Sequence, residues 1–239
     1  MSPIYLVFVL LSPSAPTAPA VPAEALAAYA EVLKTHVKDG LVNYKALEKQ
    51  SRASLDRFLT AVAEAKLPES KDDRVAFYVD AYNALVLGAV LREGRPRSVL
   101  DVKGFFADKQ HRVAGQSVTL DQLEKKILNP LAKDPRTHMV LVCGAVGCPI
   151  LESKPYQGSE LGSRMDAASK RYLASRHGAV AEDGKIALSR IFDWYKADFG
   201  GEAGALAFAR RHLAESESKK IGAAPQVSYL EYNWTLNQQ

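Results

Sequence analysis

The sequence predicts a helix-rich α+β fold: a single domain with a small antiparallel sheet. Three observations point there. The segment from Lys71 to Leu91 has charge at its start and a long apolar body, so it reads as a central, buried helix. Amphipathic segments with apolar residues at helical spacing lie on both sides of it. Short β-patterned runs, marked off by Asp-Gly and other glycine turns, are scattered between them.

Taken in order, Glu24 to Lys38 is the first helix, with Leu26, Tyr29, Ala30, Leu33 and Val37 near one face. Asp39-Gly40 breaks it, and LVNY at 41–44 is a short extended piece. Ser51 to Ala65 forms a second helix with Leu55, Phe58, Leu59 and Val62 aligned, and Pro68 closes that unit. Inside the central helix Asp80 and Asn83 interrupt the apolar body. Buried polar groups must be hydrogen-bonded, so both should have specific partners. Glu93-Gly94 ends the helix, and 98–106 reads as loop and short helix. HRVAGQSVTL at 111–120 is a small hairpin turning near Gly115. Thr119 then caps a helix with Asp121 and Gln122 in its first turn, and that helix stops at Asn129-Pro130. Met139 to Val142 is a short apolar run that suits a buried strand. Further on, Ser159 to Ser175 is an amphipathic helix, and Asp183-Gly184 is a turn before the strand IAL. A helical segment holds Phe192, Trp194 and Tyr195, and Ala203 to Leu213 is another helix. ESESKK at 215–220 reads as a polar surface link, and VSYLEYNWTL at 227–236 as a terminal strand pair or one bent strand.

The chain has 239 residues and 47% hydrophobic content, enough for one sizeable core. Its formal charge is +4, from 31 basic and 27 acidic side chains. The basic residues are scattered and form no patch interleaved with aromatics, which speaks against nucleic-acid binding. Residues 1–23 carry no charge. Their apolar core, Ile4 to Leu11, is followed by SPSAPTAPAVPA, which reads as a signal peptide cleaved after Ala20 or Ala23, although no positive n-region precedes it. The other reading is an apolar tail on a cytosolic protein. The run falls short of the about 20 residues of a membrane span. Export would place the protein in the periplasm or outside the cell, where cysteines oxidise.

Chemistry concentrates in DPRTHMVLVCGAVGCPIL, 134–151, which holds both cysteines of the chain and one of its five histidines. Here His138 stands before the expected strand and Cys143 after it. Cys148 follows in a glycine-containing loop, where backbone N–H groups around Gly147 could stabilise a thiolate or an oxyanion. The alternative is a structural disulfide between Cys143 and Cys148, which only their Cα separation decides. His138 would serve as general base, or be a water-satisfied surface histidine. Glu124 could orient its ring, or be an ordinary helix residue. His111 is the alternative imidazole. Tyr78, Tyr82 and Asn83 could line a pocket, or the tyrosines could be core aromatics. The spacing C-x4-C is unusual for zinc, and no GxGxxG, Walker loop or HExxH occurs, so no metal or cofactor is expected.

The segments FYVDAYNALVLGAV, VTLDQLEKKIL, PRTHMVLVCGAVGCPIL, LSRIFDWYKADF and VSYLEYNWTLN resemble the bacterial and plant domain-of-unknown-function 547 family, over about 43–237. In that family the first motif commonly reads N-x-YNAL; here the leading position is Asp80, before Tyr82 and Asn83. The motif LDxIEH matches Leu120, Asp121, Leu123 and Glu124, with Lys125 where the family has histidine. The pattern HxxLxC…CP matches His138, Cys143, Cys148 and Pro149. The resemblance implies a link to papain-like or transglutaminase-like thiol folds, and so a Cys148–His138–Glu124 set, in an order along the chain that is the reverse of papain's.

Two functions therefore follow from the sequence. In the first, a secreted thiol hydrolase or transferase uses Cys148 as nucleophile, His138 as base and Glu124 as orienting acid, on a small-molecule or peptide-like amide or thioester. Its pocket would draw on Asp80, Tyr82, Asn83, Cys143 and Gly147, and glutathione is a possible partner. In the second, a non-catalytic secreted domain binds a small thiol or peptide-like ligand, and Cys143 and Cys148 are structural.

Overall fold

The computed structural model describes residues 20–239. The proposed signal peptide falls almost wholly on residues 1–19, outside the described residues. At its edge, Val21 is buried and helix α1 begins at Ala23. A cut after Ala20 would therefore keep Val21 in the core, and a cut after Ala23 would remove it.

Helix α1, Ala23–His36, packs against α3, Arg52–Glu64, through Tyr29 stacked on Phe58 with ring centroids 4.2 Å apart. Between them lie the two-residue strands β1, Val37–Lys38, and β2, Leu41–Val42. Asp39 and Gly40 both take positive φ, which a tight two-residue hairpin turn requires. Helix α2, Tyr44–Ala46, leads through a π-helical turn, Leu47–Ser51, into α3.

Helix α4, Lys71–Arg92, is the axis of the molecule, and every residue from Val75 to Leu91 is buried. The Ser70 side chain caps it by accepting from the Asp73 N–H, and Asp72, Asp73 and Arg92 match the helix dipole at its two ends. By length and composition α4 is apolar enough to cross a membrane, but here the rest of the chain surrounds it. A 3-10 turn, Val99–Asp101, is followed by strands β3, His111–Val113, and β4, Gln116–Val118, in antiparallel register with His111 opposite Val118.

Thr119 caps α5, Leu120–Gln122, in a reciprocal capping box with Gln122. The helix does not stop at Asn129-Pro130 as predicted. It widens into a π-helix, Leu123–Leu128, with the Asn129 N–H donating to the Glu124 carbonyl, and resumes as α6, Asn129–Ala132. Pro130 follows the π-helical stretch directly, as the second residue of α6.

The expected strand at Met139–Val142 does not form. Pro135–Met139 is a 3-10 turn and the chain beyond it is irregular. The backbone there needs no partner strand, because the Asn83 side chain supplies one. Its Nδ2 donates to the Val140 carbonyl at 3.0 Å, and its Oδ1 accepts from the Val142 N–H at 2.9 Å. Both ends of one buried amide are used, so this apolar run stays in the core without a sheet.

Helix α7, Leu161–Ala174, leads into a three-stranded sheet of β5, Ala179–Glu182, β6, Lys185–Leu188, and β7, Gln226–Tyr229. β5 runs antiparallel and β7 parallel to the central β6, so the expectation of one antiparallel sheet is corrected to two hairpins and this mixed sheet. Between β6 and β7 come α8, Ile191–Trp194, α9, Gly201–His212, and α10, Glu215–Lys220. α10 is the polar stretch predicted as a link. Its ion pairs Lys219–Glu215 and Lys220–Glu217 at helical spacing, with acids first and bases last, let an exposed polar segment be helical. The coarse prediction stands: a helix-rich α+β single domain with small sheets.

After β7 the chain lies across the body as a strap. Leu236 bridges to Ala145, Thr235 to Ser98, and Gln238 to Val42. Buried Asn237 fixes its end by accepting from the Tyr44 hydroxyl at 2.9 Å.

Candidate functional site

Cys143 and Cys148 are joined by a disulfide, with Cα atoms 6.4 Å apart, inside the range that a bridge spans. The thiol-enzyme reading is therefore overturned. Cys148 carries no free thiol, is not a nucleophile, and forms no Cys–His–acid set with His138 and Glu124. The expected oxyanion donors are also occupied. The Val146 N–H donates to the Thr235 carbonyl, Gly147 N–H to Asn233, Cys148 N–H to Ala145, and Cys143 N–H points at the Cys148 sulfur. Gly147 suits this close contact, since a Cβ there would lie a tight 3.0 Å from the Asn233 nitrogen. The Tyr232 hydroxyl lies 3.2 Å from the Cys148 sulfur and 3.4 Å from that of Cys143. The loop is a brace clamped by the C-terminal strap.

His138 is brought to the core by the 3-10 turn before the irregular segment, and is 3% exposed. Its Nε2 lies 2.9 Å from Asp198 Oδ2, and its ring lies on Tyr195 with centroids 4.0 Å apart. Burial holds its pKa below the ordinary histidine value, and the Asp198 hydrogen bond and charge oppose that in part. The neutral ring therefore donates from Nε2 to Asp198, which leaves Nδ1 as an acceptor. Nδ1 is buried without a hydrogen-bond partner. The nearest carboxylate oxygen, Glu124 Oε1, is 3.8 Å away.

Glu124 is placed by the π-helical segment after α5, and is 6% exposed. Burial raises its pKa, while hydrogen bonds from the Tyr195 and Tyr82 hydroxyls and the nearby Lys125 charge pull the other way. Tyr82 comes from α4 and is itself buried. Glu124 is thus a buried carboxyl near two phenols, beside an imidazole that it does not quite reach.

These groups face a cavity of about 570 Å3. Tyr82, Glu124, His138, Leu141 and Cys143 line it together with Val99, Phe105, Phe106, Ile191 and Tyr195. Trp194, Tyr232 and Trp234 form a cluster at its side, with ring centroids 4.7 to 5.6 Å apart. Trp194 is 45% exposed, so this wall reaches solvent. Lys125 pairs with Asp121 at 2.8 Å, and both also line the cavity.

Of the residues singled out from sequence, Tyr82, Glu124, His138 and Cys143 come together here. Asp80, Asn83, Gly147 and Cys148 stand outside the lining. Asp80 accepts from the Tyr156 N–H, with its pKa raised by burial, and Asn83 holds the 140–142 backbone. His111 lies apart, on β3, with Arg92 3.4 Å from its Nδ1. Sequence reasoning gave no role to Asp198, Trp194, Tyr195, Tyr232 or Trp234. The signal was aromatic density: Tyr232 and Trp234 in YNW, and Trp194 and Tyr195 just before a glycine-containing break, put four rings in two short stretches. Among the described residues no group of three or more metal-ligating side chains occurs.

No curated protein and no solved structure matches the chain. The family model described as a protein of unknown function, DUF547, matches residues 67–173. That stretch holds α4, Glu124, His138 and the disulfide, while Trp194, Tyr195, Asp198 and Tyr232 follow it. The chain contains a DUF547 domain.

Proposed function

We propose that this protein is a non-catalytic binding domain whose aromatic cavity takes a small molecule or one side chain of a peptide-like ligand, with the Cys143–Cys148 bridge as structural brace. The observation that carries the reading is the cavity itself. About 570 Å3 lies within the roughly 300–1,000 Å3 of ordinary ligand sites. Its walls are mainly aromatic and aliphatic, and a few buried polar groups, Glu124, His138 and the Tyr82 and Tyr195 hydroxyls, converge at one place. That is the composition of a site that gains affinity from apolar contact and orientation from a few polar atoms. The charge-free residues 1–23 and the disulfide support an exported protein.

The test uses the indoles of Trp194 and Trp234 as reporters. Titration with phenethyl alcohol, a neutral aromatic probe, should change tryptophan fluorescence along a saturating curve with one site per chain. A response that stays linear to the solubility limit of the probe would remove the binding reading.

A further inference from the structure

The cavity places two hydrogen-bond acceptors face to face with no donor between them. His138 Nδ1 is one, because its Nε2–H is committed to Asp198, and it is buried without a partner. Glu124 Oε1 is the other, 3.8 Å away. A proton on either group does not close this gap, since a nitrogen–oxygen hydrogen bond needs about 2.7–3.2 Å. A third atom carrying hydrogens is needed, set within reach of both. Tyr82, Tyr195 and Tyr232 line the same cavity, and aromatic walls favour a cation over an anion. The lysines of the lining, Lys103 and Lys125, are exposed at the rim, and Lys125 is paired with Asp121, whereas the Glu124 carboxyl is buried, where the field of a charge is poorly screened.

From this juxtaposition of an unpartnered imidazole nitrogen, a buried carboxylate and aromatic walls, we infer that the cavity selects a ligand with an aromatic body and a protonated primary amine, the ammonium bridging Glu124 Oε1 and His138 Nδ1. The inference rests on the binding reading above and specifies its ligand class. An ammonium supplies several N–H donors on one atom, so it satisfies both acceptors at once. A bond from a charged donor to a buried carboxylate is about twice as strong as a neutral one.

Three probes that share a phenethyl group and differ in charge decide it: phenethylamine, phenethyl alcohol and hydrocinnamate, each titrated against the intact oxidised protein by calorimetry. The amine should bind about ten-fold tighter than the alcohol, and the anion weakest. Glu124→Gln, checked for folding by circular dichroism, should abolish the preference, so that amine and alcohol bind this variant with equal affinity. Equal binding of amine and alcohol to the unmodified protein would overturn the amine inference and leave the cavity as a neutral site with water between the two acceptors. Tighter binding of hydrocinnamate would overturn it as well. Failure of all three probes would instead bring down the binding reading beneath it. The probe series needs no variant, so it decides the matter even if Glu124→Gln does not fold.

Discussion

Replacing Asn83 by alanine tests the idea that one side chain stands in for a strand. Asn83 is 2% exposed, and its amide serves the Val140 carbonyl and the Val142 N–H at 3.0 and 2.9 Å. Alanine leaves both backbone groups buried without partners, at about 1–3 kcal/mol each. The amide's volume adds a small void, and alanine's better helix propensity in α4 returns about 0.5 kcal/mol. The net loss is about 3–5 kcal/mol, a large share of the about 5–15 kcal/mol that holds a typical domain. At about 2–4 °C per kcal/mol for a chain of this size, the melting temperature should drop by about 10 °C. Asn83→Asp keeps the acceptor for Val142 but faces a carboxylate to the Val140 carbonyl, so it should cost at least as much. Urea unfolding of the oxidised protein, followed by near- and far-UV circular dichroism, gives the free energy and tests for two-state behaviour. A loss below about 1 kcal/mol for Asn83→Ala, with an unchanged m-value, would refute the reasoning.

The other expectations concern the bridge and pH. The Cys143→Ser, Cys148→Ser double variant opens a short loop, for which the chain-entropy relation gives about 2 kcal/mol of lost stability. Intact mass of the wild-type protein isolated from its host should be lower by two hydrogens than after reduction, and no free thiol should react with iodoacetamide before reductant is added. Burial, with the charges of Arg92 and Lys109, pushes the pKa of His111 down to about 4 from its ordinary 6.5. The unfolded chain therefore binds a proton at higher pH than the folded one. His111 contributes nothing unfavourable above about pH 6.5, and stability is lost as pH falls from there toward 4, by on the order of 3 kcal/mol. The raised pKa values of Glu124 and Asp80 act in the opposite sense, favouring the folded state as they take up protons. His111→Gln should therefore flatten the acid side of the stability curve, and urea midpoints measured from pH 7 to 4 check it; a slope identical to wild type would show that His111 titrates freely.

The sequence by itself determined what depends on near neighbours along the chain. The apolar body of α4, the face of α3, the helix α7, the hairpin at Gly115 and the Thr119 cap all follow from spacing, turn chemistry and local capping, and each formed where expected. Helix α1 formed too, but it buries Ala25, Tyr29, Val32, Leu33 and His36, of which only Tyr29 and Leu33 were on the expected face. Composition misled at 215–220, where polarity reads as a link although i,i+3 and i,i+4 ion pairs support a helix. Only the tertiary structure decided the rest. Met139–Val142 has the pattern of a strand, but a strand needs partners, and here they lie on Asn83, more than fifty positions away. The fate of the two sulfurs hung on how the 143–148 loop is folded back, which the strap at 233–235 and Tyr232 govern across more than eighty residues. Glu124, His138 and Tyr195 likewise meet only because three separate elements pack together. Periodicity records which face of a segment is buried; it carries no information about what that face meets.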